Sequence, residues 1–318
     1  MAEMITTRDA YGKTLTAIGE RDERIVVLDC DLSSSTKTSL FAKKYPDRFF
    51  NMGIAELSMM DTAAGLAAAG KIPFASTFAI FATGRAWEAV RQSIAYPNLN
   101  VKIVATHGGI TVGEDGASHQ TVEDIALMRV IPGMVVIVPA DAVETEKVVE
   151  EIVKYNGPVY VRLSRSKSPV LFDKNYSFKI GKGNILKEGK DITIFATGLM
   201  VANALDASAL LEKEGIKPQV VNISTIKPLD EELVVECAKE TGHVVTVEEH
   251  SIIGGLGSAV SEVLSEKFPV PICRMGIRDQ FGTSGTVEAL LAHFHLMPGD
   301  IADTALRLFR KDENLKNP

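Results

Sequence analysis

Cysteine is scarce in this chain: Cys30, Cys237 and Cys273 are the only three in 318 residues. Odd in number and widely spaced, they exclude a disulfide framework and a zinc-ligand pattern, and they fit a reducing cytoplasm. No apolar run approaches the roughly 20 residues that a membrane span requires. The small-residue stretch 63–69 is rich in Ala and Gly and reads as a packed helix. Positive charge is not in excess. With 34 Lys and Arg against 41 Asp and Glu, the net charge is −7, which argues against nucleic acid or an anionic membrane as the main partner. The first seven residues lack a basic segment followed by an apolar one, so no secretory leader is read there. Low-complexity tracts and short-period repeats are absent too.

What remains is the composition of a soluble globular protein, 46% apolar and 24% charged, long enough for two domains. Short β-branched runs at 25–28, 101–105, 134–138 and 159–163 read as buried strands. Helical patterns at 57–69, 86–95 and 142–155 separate them. That alternation predicts a mostly parallel sheet covered by helices. Charged and small residues dominate 173–190, which reads as a linker with room for a short edge strand. A second alternation follows, with strands at 192–195, 219–223 and 243–247 and helices at 202–214, 231–240 and 258–266. The expected architecture is therefore α/β: two three-layer α/β/α domains, at 1–172 and 191–318, the second being smaller.

Several residues could carry chemistry. Glu56 opens the 57–69 helical pattern in Gly53-Ile54-Ala55-Glu56. It is either a first-turn acid favoured by the helix dipole or an acid buried among Met52, Ile54, Leu57, Met59 and Met60, suited to proton exchange with a ring nitrogen. Phe78 and Phe81 lie three apart. They are core residues or a shelf for a flat heterocycle. His107 follows a strand and precedes Gly108-Gly109, and ligands of parallel sheets bind at carboxyl strand ends. The segment Gly113-Glu114-Asp115-Gly116-Ala117-Ser118-His119-Gln120 crowds two carboxylates and an imidazole between glycines, so it too reads as a functional loop. Arg162 and Arg165, near the end of a strand, are a solvated basic edge or an anion site. The hydroxyls of Ser33-Ser34-Ser35-Thr36 cap a helix or serve a phosphate. Gly254-Gly255-Leu256-Gly257-Ser258 looks like a phosphate turn, but it lacks a full dinucleotide fingerprint, and close helix–strand packing is the favoured reading.

Taken in order, these motifs resemble the C-terminal half of transketolase, across nearly the whole chain. The sharpest elements are Gly53-Ile54-Ala55-Glu56, Ala105-Thr106-His107, the loop from Gly113 to Gln120, Leu163-Ser164-Arg165 and Arg278-Asp279-Gln280-Phe281-Gly282-Thr283-Ser284-Gly285. The resemblance implies a thiamine-diphosphate pyrimidine-binding domain followed by a transketolase C-terminal-like domain. It implies that Glu56 hydrogen-bonds the cofactor's aminopyrimidine, that Phe81 stacks on that ring with Phe78 beside it, and that Asp31 is a further cofactor contact. His107 and His119 would bind substrate and help move protons, Asp115 would read a sugar hydroxyl, and Arg165, helped by Ser35, would hold the sugar phosphate. Gly84 departs from the pattern, because many family members carry another aromatic there. The ring pocket is then more open, or is filled by Trp87 or by a partner's side chain.

A full-length transketolase is about twice this size and holds the diphosphate through Mg²⁺ with a Gly-Asp-Gly motif. That motif is missing; Gly299-Asp300-Ile301 lacks the second glycine, and Mg²⁺ needs a set of hard oxygen ligands. The resemblance therefore implies a split, cytoplasmic enzyme of the pentose phosphate pathway. A separate N-terminal subunit would ligate the Mg²⁺, sugar phosphates would be the substrates, and a homodimer contact would make the assembly a heterotetramer. A subunit of another thiamine-diphosphate enzyme, like 1-deoxyxylulose-5-phosphate synthase or the beta chain of a 2-oxo-acid dehydrogenase, stays open at this point. So does a non-catalytic scaffold subunit.

Overall fold

The computed structural model describes residues 3–316, with side chains described as far as residue 310. The first part of the chain carries strands β1 (Met4–Thr6), β2 (Ile25–Asp29), β3 (Phe49–Asn51), β4 (Ile72–Ser76), β5 (Lys102–Ala105), β6 (Val135–Ile137), β7 (Val159–Arg162) and β8 (Lys167–Pro169). The second part carries β9 (Asn184–Lys187), β10 (Ile192–Ala196), β11 (Pro218–Asn222), β12 (Thr225–Lys227), β13 (Val244–Ser251) and β14 (Ile272–Ile277). One sheet runs in the order β12-β6-β7-β5-β4-β2-β3 and the other in the order β14-β13-β10-β11-β9, while β1 pairs with β8 alone. Both sheets are parallel except at one edge, where β12 is antiparallel to β6 and β9 to β11.

Burial on both faces explains why the central strands read as unbroken apolar runs. Successive residues of the first sheet point to opposite layers. Val27, Phe74, Val104 and Val161 pack under the helices Thr7–Arg21 and Ala142–Lys154. Leu28, Ala75, Ile103 and Tyr160 face the helix Glu56–Ala68 and the segment 79–95. The latter core continues into the second sheet through Phe195, Val221 and Val244. On the far face of that sheet, Ile194, Val220 and Val245 pack against the helices Met200–Lys213 and Pro298–Lys316. Each sheet is thus the middle of three layers, as the alternation predicts.

Departures from the pattern have local causes. No strand signal marks 72–76, because Pro73 cannot donate to a ladder; the structure nevertheless sets Pro73 in β4 opposite Val26. The helix predicted at 86–95 is part of a π-wound run, Phe81–Arg85 and Val90–Ala95, joined by one α turn. The 173–190 stretch supplies β9 to the second sheet, and β12 crosses from the second part of the chain to the first sheet. Among the described residues no helix is long and apolar enough to cross a membrane. The three cysteines are free, Cys30 and Cys237 buried and Cys273 half-buried.

Candidate active site at the carboxyl ends of the first sheet

Parallel strands bring their carboxyl ends to one edge of a sheet, and ligands gather there. Beyond β2 lie Asp31 and Ser35; beyond β3, Glu56; beyond β4, Phe78 and Phe81; beyond β5, His107 and the loop to Gln120; beyond β7, Arg165. Topology alone therefore delivers residues up to 134 positions apart in sequence, Asp31 to Arg165, to one rim.

A ring cluster forms the centre. Phe78 stacks on Phe81 with centroids 5.9 Å apart and planes 13° from parallel. The His107 ring lies 3.8 Å from Phe78 at 24°. His119 meets both phenylalanines edge-on, 6.3 Å from Phe78 and 5.7 Å from Phe81. His107 is buried and holds a left-handed backbone, φ 62°, that costs a non-glycine residue energy and persists only where the surroundings enforce it. Its Nδ1 shares a 2.8 Å hydrogen bond with the Thr106 hydroxyl. Burial first, then the charges of Arg8, Arg165 and His119, push the His107 pKa down to about 3. The imidazole is neutral at ordinary pH.

Glu56 is the first residue of the helix Glu56–Ala68 and is 5% exposed. Met59 and Met60 beside it are buried, whereas Ile54 and Leu57 turn outward, 79% and 49% exposed. Among the described residues its carboxylate accepts no hydrogen bond; the guanidinium of Arg85 stands 3.8 Å away. Arg85 also lies over the Phe81 ring, 4.6 Å from its centroid. It therefore bridges the acid and the stacking shelf. Trp87 does not fill the space at Gly84: its Nε1 donates to the Leu127 carbonyl at 2.8 Å and the ring packs on the core. A Cβ at Gly84 would meet nothing within 4 Å.

The basic side of the site is built around Arg165. It reaches the Val112 carbonyl and stands 3.6 Å from Asp115, in a pair too exposed to contribute much stability. Arg8 comes close enough to shift both Arg165's neighbour His107 and its own proton affinity: burial and Arg165 lower the Arg8 pKa against the opposing pull of Asp9. Arg8 Nη1 donates to the Ser35 carbonyl at 3.0 Å, while its buried Nε has no partner. Arg8, Arg165 and Lys167 line a cleft of about 430 Å³ with Thr111, Ser166 and Thr286. Asp31 is placed differently: its backbone N–H and carboxylate both pair with the Asn51 amide, at 3.1 and 3.3 Å, on the sheet edge.

One expectation from the sequence needs correction. Arg162 is neither a solvated edge nor an anion site. It is 6% exposed, and its Nε donates to Asp124 at 2.8 Å while Nη2 donates to the Glu249 carbonyl at 2.9 Å. The Gly-rich turn 254–258 is filled from within. The buried Glu248 carboxylate accepts from the Leu256 and Gly257 N–H groups at 2.7 and 2.8 Å, which leaves no room for a phosphate and bears out close packing. Arg8 and Arg85 are the residues that motif reading overlooks. Each had a signal: Arg85 follows Phe81 by four residues, and Arg8 is a cation in the first turn of a helix, against the helix dipole.

An aminopyrimidine ring fits this arrangement, because it offers hydrogen-bonding nitrogens to a carboxylate that accepts no hydrogen bond among the described residues and a flat face to the Phe81 shelf. No group of three or more His, Cys, Asp or Glu able to hold a metal ion occurs among the described residues.

Known proteins resemble this chain over nearly its whole length. Residues 3–170 match the pyrimidine binding domain of transketolase, and residues 181–301 match the transketolase C-terminal domain. A Methanocaldococcus jannaschii protein provisionally named a transketolase C-terminal section is 52% identical over 96% of this chain and 96% of its own length. A 6-deoxy-6-sulfo-D-fructose transketolase subunit from a Clostridium species is 44% identical over 94% of this chain and 92% of its own. A solved structure described as a split gene transketolase, inactive beta4 tetramer, is 56% identical, with a TM-score of 0.90 over 96% of this chain and all of the other. Against the single-chain rat and human transketolases, the chain spans about half their length, 47% and 50%.

Proposed function

The chain belongs to the transketolase family, and we propose that it is the pyrimidine-binding subunit of a split transketolase. In this reading it transfers a two-carbon ketol unit from a ketose phosphate to an aldose phosphate. The observation that carries it is the buried Glu56, whose carboxylate accepts no hydrogen bond among the described residues, beside the Phe78–Phe81 shelf, with two imidazoles on the same rings.

Thiamine diphosphate, when bound, would supply the nucleophilic carbon that takes up and hands on the two-carbon unit. Glu56 would share a proton with a pyrimidine nitrogen. Phe81 would support the ring, with Arg85 locking the shelf from the other side. His107, neutral through burial, would hydrogen-bond the substrate carbonyl or hydroxyl without adding charge. His119, on the glycine-flanked loop, would relay protons beside it. Asp115 would accept from a sugar hydroxyl. Arg165 and Arg8, with Ser35 adjoining, would hold the phosphate of the sugar, and the free Nε of Arg8 gives that anion a buried donor.

A separate N-terminal subunit would hold the diphosphate through Mg²⁺. The similarity to one half of single-chain transketolases supports this, as does the similar structure described as a split gene transketolase, inactive beta4 tetramer. The exposed Ile54 and Leu57 flank Glu56 and would be covered by that subunit. Two copies of each chain make the proposed assembly. Glu56→Gln in the assembled enzyme tests the reading. It should lower turnover by about 10²–10⁴-fold while assembly is unchanged, and near-normal turnover would remove Glu56 from the chemistry.

A further inference from the structure

The segment that carries His107 is held by the second half of the molecule. Glu249 lies on β13, 3% exposed, at the far side of the interface from the site. Its Oε1 accepts the Thr111 N–H at 2.5 Å. Gly109, with φ 88°, sits directly against this carboxylate; a Cβ there would lie 2.2 Å from Oε1. Gly108 sits on Arg162 in the same way, its hypothetical Cβ 2.5 Å from Nε. Both glycines after His107 are therefore dictated by what lies beneath them. Arg162 in turn donates to the backbone carbonyl of Glu249 and to Asp124.

A buried carboxylate is costly unless its partners compensate. Glu249 touches neither the ring cluster nor Glu56 and meets the basic cleft only at Thr111, so direct contact with substrate does not explain it. What it does touch is the turn that forces His107 into the left-handed region. A strained φ persists only where neighbours over-determine it. Here those neighbours are Arg162 on one side of the turn and Glu249 on the other. We propose that Glu249 is a positioning residue, through which the C-terminal half of the chain fixes the His107–Thr111 turn and hence the place of the His107 imidazole over Phe78. The same half grips the far end of the loop. Gln120 Nε2 donates to the Thr283 carbonyl at 2.8 Å, and the Ser284 hydroxyl donates to the Glu114 carbonyl at 2.7 Å.

This inference rests on the reading of His107 as a substrate-facing group, so its test has an arm that does not depend on turnover. Glu249→Gln keeps an acceptor for the Thr111 N–H; Glu249→Ala removes it. In the assembled enzyme, Glu249→Ala should lower kcat by about 100-fold, the scale of a misplacement of about an ångström, with a much smaller change in KM. Glu249→Gln should recover most of the loss. In parallel, hydrogen exchange of the full chain should show residues 107–112 exchanging faster in Glu249→Ala and near wild type in Glu249→Gln, with β10 and β11 unchanged in both. Unchanged exchange at 107–112 in Glu249→Ala would overturn the inference. So would a Gln variant as impaired as the Ala variant while its turn stays protected. A wild-type assembly without ketol transfer would instead sink the functional reading, and the exchange arm would still decide the positioning role.

Discussion

The two sheets of this molecule share a plan and differ in what their strand ends have left to offer. Both are parallel at their centres, and both carry polar residues at or past the carboxyl ends of their strands. In the second sheet the charged and imidazole groups near the end of β13 are engaged, although Asn222 Oδ1 at the end of β11 has no partner among the described residues. Glu248 caps the helix Leu256–Lys267, Glu249 accepts the Thr111 N–H, and His250 Nε2 meets the Ala126 N–H at 3.3 Å. In the first sheet Glu56 has no hydrogen bond among the described residues, Arg8 keeps a buried Nε free, and His107 has one ring nitrogen uncommitted. The glycine-rich turn at 254–258, ahead of the helix Leu256–Lys267, is closed by a protein carboxylate. Hydrogen-bonding capacity left on charged and imidazole groups at strand ends, rather than the turn motif, marks the site.

That contrast can be broken in steps. The largest effect should come from Arg162, the strut between the regions. Removing one partner of a buried ion pair strands the other, so Arg162→Ala should cost about 3–5 kcal/mol of stability in urea unfolding. A loss near zero would show that Asp124 and Glu249 do not depend on it. Next in size, Arg165→Ala should raise KM about tenfold for a phosphorylated acceptor, the loss of a charge-assisted hydrogen bond, and change KM little for the unphosphorylated sugar. Equal effects on both sugars would take Arg165 out of the anion site.

The smallest effect distinguishes two buried groups, His107 in the first region and Glu248 in the second, by the sign of their pH response. Burial depresses His107 to about 3 and His250 to about 4, both from 6.5. The unfolded chain therefore binds protons that the folded one refuses, and stability falls as pH drops below about 6.5. Glu248 works the other way. Burial raises its folded pKa from 4.5 to about 7, so the folded state holds a proton that the unfolded state releases, and stability falls as pH rises between those values. Each group contributes at most about 1.4 kcal/mol per pH unit. Between pH 5 and 6.5, His107→Asn should flatten the rise of the urea midpoint with pH, and Glu248→Gln should steepen it. Matching slopes in the two variants would contradict the assignment.

Much of the site was legible because its residues lie beyond strand ends, several of them near glycines. His107, the loop to His119, Arg165 and Glu56 all carry such local marks, and the expected sheet alternation places them on one rim. What was not legible depends on distant partners. Arg162 reads as an edge cation until Asp124, 38 positions away, is seen beneath it. Glu249 meets Thr111 across 138 positions, which no periodicity reports. Arg85 looks like a surface residue of a helix. Only the π winding that begins at Phe81 sets its guanidinium over that ring and toward Glu56. Asp31, a cofactor contact by resemblance, sits in a left-handed turn, φ 62°, where its carboxylate pairs with the Asn51 amide.

Ketol transfer from xylulose 5-phosphate to ribose 5-phosphate, with thiamine diphosphate and Mg²⁺, tests the central claim most directly. It is measured on this chain alone and on the chain with the protein it co-purifies with from its native lysate. The account predicts no transfer by the chain alone and transfer by the complex, because Glu56 and its ring shelf form only one side of the site. Transfer by the isolated chain, or none by a complex that contains a diphosphate-binding subunit, would contradict it.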